Sequence, residues 1–269
     1  MYSKFNYSPS DYFYNNEINR FLTQGNEIFS EHEKEVQECL SEYISEEGII
    51  NGTALKEHCF SIKPKNVFIS HSHSDLNKVK AFAGWLYQCF GLEAFIDSCS
   101  WGYCDDLLNI IDKKYCYDAK TKTYDYTLRN YTTSHVHMML STALTEMMNK
   151  TECVMFFNTP SSICLDEELN KIKTSGKKAL TVSPWIYHEL SMTTMLRVTP
   201  PNRGEKAIEH FAQDSRERLT VQYDVSKALA EMTTLTDDQL KQWNNNWQRR
   251  PIKIKEQALD ELYKIVFSK

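Results

Sequence analysis

The amino-acid sequence predicts an α/β fold built on a mostly parallel sheet of about five strands. Three apolar segments have the composition of buried strands: NVFIS at 66–70, LEAFIDS at 92–98 and ECVMFFN at 152–158. Segments with helical periodicity separate them, and such alternation is typical of parallel sheets with right-handed crossovers. Ligands of these sheets bind beyond the carboxyl ends of the strands. Polar residues that directly follow the strands are therefore the first candidates for a functional site.

The composition is that of an ordinary globular chain, with 269 residues, 41% hydrophobic residues and 25% charged residues. The formal net charge of −5 argues against binding of bulk nucleic acid or of anionic membranes. No apolar run approaches the roughly 20 residues that span a bilayer, and the N-terminal segment lacks the apolar core of a signal peptide. The cysteines form no CxxC pair, which favours free thiols. We therefore expect a cytoplasmic protein.

The chain is predicted to have two parts. Residues 1–62 are expected to form a helical N-terminal extension, because apolar residues recur at helical spacing over 9–47. Residues 63–269 are expected to form the α/β domain, with insertions at 113–133 and 164–182 and with helices at its C-terminal end.

Start and stop signals place the helices of the α/β domain. Asp75 is predicted to cap a helix that ends at Gly91. Ser134 is predicted to open a second helix, which runs to about Met148. A short helix is expected over 53–60, a further strand over 219–225, and helices over DDQLKQWNNNW and from Lys253 to Phe267. The buried stripe of the first helix is expected to be Val79, Phe82, Ala83, Leu86 and Phe90.

The segment SPWIYHEL, residues 183–190, predicts a helix start that carries a carboxylate. Ser183 is a good N-cap and Pro184 suits the first helical position. Trp185 and Glu189 are four residues apart and share a helix face. An acid beside a large aromatic ring can lie in a partly dry pocket, where its protonation is tuned. The alternative is a surface glutamate that the helix dipole favours.

Three polar pairs follow the predicted strands and are expected at one edge of the sheet. They are Ser70-His71, Asp97-Ser98 and Asn158-Thr159. Residues 99–106 are predicted to form a loop after the second strand, and its Trp101 and Tyr103 could stack on a nucleotide ring. The alternative is that both rings pack as part of the core.

Three motifs in this order resemble a bacterial Toll/interleukin-1 receptor (TIR) domain. They are NVFISHSHSD, FGLEAFIDSCSWGY, and ECVMFFNTPSSI followed by SPWIYHEL. The resemblance covers about 66–196 and implies a flavodoxin-like fold. Catalytic members of the family cleave the nicotinamide–ribose bond of NAD with a helix glutamate, and that role falls on Glu189. The chain departs from the family at Ile186, where many members carry Cys, and in the length of the segment before this helix.

The resemblance implies an enzyme of the NAD glycohydrolase or ADP-ribosyl cyclase type, with NAD as the substrate and without a cofactor or a metal. Copies are expected to self-associate through the 99–106 loop. The additional segments resemble bacterial antiphage sensors, such as those of Thoeris systems, which make ADP-ribose-derived signals for a downstream effector. The residues expected to bind the substrate are Ser70, His71, Asp97, Trp101, Tyr103 and Trp185.

The chemistry of this reaction suits a site with one essential carboxylate. Nicotinamide leaves as a neutral group, so no acid is needed to protonate it. A carboxylate that stabilises the oxocarbenium-like transition state and holds the ribose hydroxyls suffices. Glu189 is the expected carboxylate, and Asp97 is the candidate for a second acid.

Two other interpretations remain open. A TIR domain can be a non-catalytic adaptor that only binds other TIR domains. Alternatively, the HSHSD motif at 71–75 resembles the metal ligands of metallo-β-lactamase-like hydrolases, although Leu76 stands where these carry a further histidine. His135 and His137 cannot readily complete such a site, because residues two apart on a helix do not converge on one ion.

Overall fold

The computed structural model of the protein describes residues 1–43, 65–163, 179–201 and 223–267. Its centre is a five-stranded sheet in which every neighbouring pair is parallel. The strands are β1 (Ser3–Tyr7), β2 (Val67–Ser70), β3 (Ala94–Ile96), β4 (Cys153–Phe157) and β5 (Thr233–Leu235). They lie in the order β3-β2-β4-β1-β5. The predicted α/β class with a parallel sheet is confirmed.

Eight α-helices of five or more residues in the described ranges flank this sheet or extend from it. They are α1 (Leu22–Tyr43), α2 (Leu76–Phe90), α3 (Ser98–Ile111), α4 (Tyr126–Lys150), α5 (Pro184–Met195), α6 (Ser226–Ala230), α7 (Asp237–Gln248) and α8 (Ala258–Phe267). Two short antiparallel pairs join Tyr117–Asp118 to Thr123–Tyr124 and Leu180–Thr181 to Tyr223–Asp224. No described helix combines the length and the apolar character that a membrane span requires.

The strand order is consistent with a flavodoxin-like sheet. Counted from β2, the three strands β3-β2-β4 have the order 2-1-3 of that fold. The next position is occupied by β1, which pairs with β4 on one side and with β5 on the other. The N-terminal strand therefore completes the sheet that the later strands begin.

This strand is a correction to the helical extension predicted over residues 1–62. Residues 11–43 are largely helical as predicted, but Ser3–Tyr7 form a strand inside the sheet. The segment SKFNY carries Lys4 and Asn6, and it does not have the continuous apolar character of the other central strands. Its Phe5 and Tyr7 are nevertheless fully buried. The first residues are thus part of the α/β sheet and not of a separate extension.

Helix α2 follows its predicted boundaries. Its apolar stripe is buried as predicted, and Gly91 ends the helix in the left-handed conformation with φ of +72°. Asp75 stands at the cap position, but its side chain makes no capping hydrogen bond. The carboxylate instead accepts a hydrogen bond of 2.5 Å from the Thr159 hydroxyl across the sheet edge.

Helix α4 begins at Tyr126 and not at the predicted Ser134. The Asp125 carboxylate accepts the Leu128 N–H at 2.8 Å and caps the helix. The Ser134 hydroxyl lies about two turns inside it and donates to the carbonyl of Asn130 at 2.8 Å. The predicted insertion at 113–133 therefore includes the first turns of this helix.

The loop predicted over 99–106 is also wrong, because these residues belong to α3. The Asp97 carboxylate accepts the Ser98 N–H at 2.7 Å at the start of that helix. Leu107 and Ile111, one turn apart, are buried in the core and anchor its last turns. Capping at one end and burial at the other make the segment helical without an intervening loop.

Several other predictions can be placed. The turn at 159–162 and the two C-terminal helices α7 and α8 are confirmed. The helix predicted over 53–60, most of the insertion at 164–182 and most of the strand predicted over 219–225 lie outside the described residues.

An aromatic cluster fills the interior between α2 and α7. The rings of Phe90 and Trp243 stack with centroids 3.8 Å apart, and Trp85 meets Trp243 edge to face at 5.8 Å. The indole Nε1 of Trp243 donates to the carbonyl of Ala258 at 2.8 Å. Every large ring of this cluster is buried, and the indole N–H of Trp243 has a hydrogen-bond acceptor.

Helix α1 packs closely on α2 through two glycines. A Cβ atom on Gly25 would lie 1.9 Å from the carbonyl oxygen of Lys80. A Cβ atom on Gly84 would lie 2.3 Å from the carbonyl oxygen of Phe21. The two helix backbones approach so closely that no side chain larger than hydrogen fits at either position.

Candidate functional site

Helix α5 presents the predicted carboxylate to the interior of the protein. The Ser183 hydroxyl accepts the Ile186 N–H at 3.3 Å, and Pro184 opens the helix, as the sequence predicts. The inner face of the helix buries Ile186, Glu189, Leu190 and Thr193. The helix start therefore fixes which face of α5 turns inward.

Glu189 is a fully buried acid that has no hydrogen-bond partner among the described residues. Its exposed fraction is 0%, and neither carboxyl oxygen makes a hydrogen bond in the described part of the chain. Burial raises the pKa of Glu189 well above its ordinary value of 4.5, and the nearby Asp97 raises it further. The Ser70 hydroxyl acts in the opposite direction. Glu189 is consequently protonated and neutral over a wider pH range than an exposed glutamate.

Ser70, His71 and Asp97 come together at the carboxyl edge of the sheet, as the sequence predicts. All three are buried, with exposed fractions of 1%, 4% and 1%. Ser70 ends β2 and Asp97 follows β3, and these strands pair in parallel. The Ser70 hydroxyl has no partner with hydrogen-bond geometry among the described residues. This edge therefore holds polar groups that the surrounding protein leaves unsatisfied.

Asp97 organises its neighbours through both carboxylate oxygens. One oxygen accepts the Ser98 N–H at 2.7 Å, and the other accepts the His71 N–H at 3.4 Å. The Nδ1 atom of His71 lies 2.5 Å from Asp97 Oδ1, although the two groups are not aligned as a hydrogen bond. On the other side of the imidazole, Nε2 lies 3.0 Å from the Ser98 hydroxyl oxygen. His71 is thus held between an acid and an alcohol.

A cleft of about 240 Å³ opens on this group. Its lining combines strand ends with the starts of α3 and α5 and with one side chain of α4: His71, His73, Asp97, Ser98, Asp105, His137, Ser183 and Trp185. Glu189 is not exposed in the cleft and lies next to its Asp97 wall. The cleft and the buried acid therefore form one continuous polar region.

Trp185 is half-buried and lines the cleft. Its ring meets the His137 ring edge to face, with centroids 5.4 Å apart. From the sequence, His137 is considered only as a metal ligand, and its local pattern does not predict that it lines the cleft. Five lining residues are not among those predicted to bind the substrate: His73, Ser98, Asp105, His137 and Ser183. Their positions depend on how α3, α4 and α5 pack, for which the sequence gives no local signal.

The other predicted site residues are distributed as follows. Trp101 and Tyr103 lie within the first two turns of α3, and their side chains are outside the described residues. The third strand-end pair takes structural partners: Thr159 donates to Asp75, and the Asn158 amide donates to the Asn6 side chain at 3.0 Å. Only the first two pairs, Ser70-His71 and Asp97-Ser98, therefore contribute to the cleft and the buried acid.

The structure gives no arrangement of metal ligands in the ranges it describes. Histidines and acids line the cleft, but no three or more His, Cys, Asp or Glu residues there are grouped closely enough to hold an ion. The two histidines of the HSHSD motif lie in different environments. His71 is buried against Asp97, whereas His73 is exposed.

Comparison of the chain with protein family models, with curated proteins and with solved structures gave no match in any of the three.

Proposed function

We propose that the protein is a TIR-type enzyme that cleaves the nicotinamide–ribose bond of NAD, with Glu189 as its essential acid. The observation that carries the proposal is the buried carboxyl of Glu189, which lies beside a polar cleft and has no hydrogen-bond partner in the part of the chain that the structure describes. A buried carboxyl without a hydrogen bond costs stability, and such groups concentrate at functional sites. The Ser183-x-Trp185-x-x-x-Glu189 motif supplies the link to this family.

The charge of the substrate explains how a neutral Glu189 becomes active. NAD carries a positive pyridinium ring, and bond cleavage moves that charge to the ribose. A positive charge close to the carboxyl favours its ionised form and lowers its pKa. Binding of NAD therefore converts Glu189 into the carboxylate that stabilises the oxocarbenium-like transition state.

The cleft suits the reacting part of the dinucleotide. Its volume of about 240 Å³ is below the several hundred Å³ typical of pockets that enclose a whole drug-sized ligand. We propose that it takes the nicotinamide riboside half, with Trp185 against the ring and Ser70, His71 and Asp97 toward the ribose. The adenosine half then extends from the mouth of the cleft, past the first turns of α3 that contain Trp101 and Tyr103.

The product and the partners follow from the same proposal. We propose that the enzyme releases an ADP-ribose-derived signal, cyclic or conjugated, that a downstream effector binds during antiphage defence. Copies of the chain self-associate at the cleft edge formed by residues 99–106. The proposed reaction uses NAD as a substrate and requires no cofactor or metal.

The test is incubation of the purified chain with NAD, followed by mass analysis of nicotinamide and of every ADP-ribose product. Glu189→Gln keeps the size of the side chain and removes its ability to ionise, so nicotinamide release should fall by about 10²-fold or more. Glu27→Gln is the matched control, because Glu27 is an exposed glutamate on α1 and should leave the rate unchanged.

Each outcome of this assay is informative. Addition of a strong chelator should leave the wild-type rate unchanged. Equal rates for the wild type and a folded Glu189→Gln variant would remove Glu189 from the reaction. Self-association of the wild type and of Glu189→Gln, with no cleavage of NAD by either protein, would favour the adaptor interpretation.

A further inference from the structure

Ser98 is a cleft residue that the proposed cleavage of NAD does not use. It is the first residue of α3, it is 7% exposed, and its hydroxyl faces the Nε2 atom of His71 at 3.0 Å. Nδ1 of the same imidazole lies 2.5 Å from Asp97 Oδ1, which is within ion-pair distance although the two groups are not aligned as a hydrogen bond. Serine, histidine and aspartate therefore follow one another in the order found where a serine nucleophile is activated.

The position of Asp97 favours one direction of proton transfer. Nδ1 of His71 faces a carboxylate oxygen, which favours the tautomer with the proton on Nδ1. Nε2 then has a free lone pair and accepts the hydroxyl proton of Ser98. Asp97 also accepts the backbone N–H groups of His71 and Ser98, so it positions both members of the pair.

The place of Ser98 in the fold is equally suited to a nucleophile. It lies in a sharp strand-to-helix turn, one residue after Asp97 and directly beyond the end of β3. The 14-residue helix α3 begins there, and the N–H groups of its first turn have no partner within the helix. These groups and the helix dipole can stabilise negative charge on an oxygen bound beside Ser98.

We propose that Ser98 is a nucleophile activated by His71, and that the cleft hydrolyses small carboxylic esters. The Ser98 oxygen bonds to the ester carbonyl carbon, and its proton passes to Nε2 of His71. The ester bond breaks, and the leaving alcohol takes that proton. Water then attacks the acyl-serine and gives its proton to His71, and Ser98 recovers the proton as the carboxylic acid leaves.

An alkyl fluorophosphonate is the direct probe of this proposal. An activated serine displaces fluoride from this reagent and keeps the phosphonyl group, so the adduct is visible in the intact mass. We expect one adduct per chain, which peptide mass analysis places on Ser98. An adduct at a different residue, or none on the folded wild-type chain, would overturn the proposal without reference to any variant.

Variants then separate chemistry from structure. Ser98→Ala should abolish labelling, and His71→Gln should slow it by about 10²-fold or more, as expected for loss of a general base. Ser74→Ala is the matched control, because Ser74 is an exposed serine three residues after His71. Labelling of Ser98 in this variant should proceed at the wild-type rate.

The positioning role of Asp97 needs a readout that folding alone does not change. Asp97→Asn keeps the size of the side chain and should lower the maximal labelling rate of Ser98, while the reagent concentration that gives half of that rate stays the same. An unchanged maximal labelling rate would remove Asp97 from the relay, and equal labelling of wild type and His71→Gln would remove His71.

The fluorophosphonate test is independent of the cleavage of NAD. Hydrolysis of p-nitrophenyl acetate by the wild-type chain, with a burst equal to the concentration of Ser98, would support the ester substrate class. Labelling of Ser98 without any hydrolysis of this ester would retain the nucleophile and overturn the ester assignment.

Discussion

The aromatic cluster around Trp243 and the polar edge around Glu189 are both buried, but they differ in how their polar groups are satisfied. Trp243 donates its indole N–H to a carbonyl oxygen, and its ring stacks on Phe90. Glu189 is equally buried, yet its carboxyl oxygens have no hydrogen-bond partner in the described ranges. The first arrangement stabilises the fold, whereas the second costs stability. Burial without satisfaction is therefore the feature that separates the candidate site from the core.

A second carboxylate sharpens this contrast, since it lies at the same sheet edge. Asp75 is buried like Glu189, with an exposed fraction of 6%, but it accepts the Thr159 hydroxyl. Two acids within one polar edge thus have different environments. The difference indicates that Asp75 is structural and that Glu189 is available to a ligand.

The largest expected effect comes from removing the centre of the aromatic cluster. Trp243→Ala leaves a large cavity between α2 and α7 and should lower the free energy of unfolding by about 3–5 kcal/mol. Urea unfolding measures this change. Tyr126→Ala, which truncates a 77% exposed ring, should change it by no more than about 0.5 kcal/mol. Similar losses in both variants would contradict the assignment of the cluster as the core.

The contact between α1 and α2 should give the next largest loss. Gly25→Ala places a methyl group 1.9 Å from the carbonyl oxygen of Lys80, and we expect a loss of about 1–3 kcal/mol. This loss opposes the better helix propensity of alanine. Asn26→Ala, at the adjacent exposed position, should be neutral or slightly stabilising. A gain in stability for Gly25→Ala would show that the helices are not in close contact.

Removal of the hydrogen bond from Thr159 to Asp75 should lower the stability of the fold. Thr159→Val removes the hydroxyl that donates to Asp75 and should cost about 1–3 kcal/mol, because a buried carboxylate loses a donor. Thr159→Ser keeps the hydroxyl and should recover most of that loss. Thermal unfolding of both variants separates the hydrogen bond from packing of the methyl group, and equal losses would assign the effect to packing.

The smallest expected effect is a gain in the free energy of unfolding for Glu189→Gln, and its size depends on pH. The pKa of Glu189 is raised in the folded state above its ordinary value of 4.5. Below pH 4.5 the carboxyl of Glu189 is protonated in both the folded and the unfolded chain. Above pH 4.5 the unfolded chain loses this proton first, so the free energy of unfolding of the wild type falls as the pH rises. Glu189→Gln removes this fall, and its stability relative to wild type should increase from pH 4 to pH 8. A difference that is constant with pH would contradict the raised pKa.

The sequence predicts the parts of the fold that local signals determine. Gly91 ends its helix, Ser183 caps α5, and the parallel strands bring Ser70 and Asp97 to one edge, all as predicted. The sequence does not predict β1, because Lys4 and Asn6 obscure its burial. Such a strand is recognised only once its neighbours in the sheet are known.

The exact start of a helix and the side-chain contacts of the site are also not predicted by local sequence signals. Ser134 is a plausible cap, but Asp125 caps the helix earlier, and the sequence alone does not decide between them. The side chains of Ser70 and Asp97 are expected at one edge, but the 3.0 Å contact of Ser98 with His71 depends on rotamers. Strand ends can thus be grouped from the sequence, whereas the pairing of their side chains requires the structure.

The position of β1 also determines the order in which the fold can assemble. Ser3 lies opposite Cys153, and Phe5 lies opposite Thr233, so this strand pairs with segments far along the chain. Contacts of such long sequence separation slow folding. During synthesis, the first strand emerges long before either of its partners, and β5 cannot join the sheet until β1 is in place. Strand β5 therefore closes the sheet last, and the early exposure of β1 leaves this strand open to incorrect pairing before its partners are made.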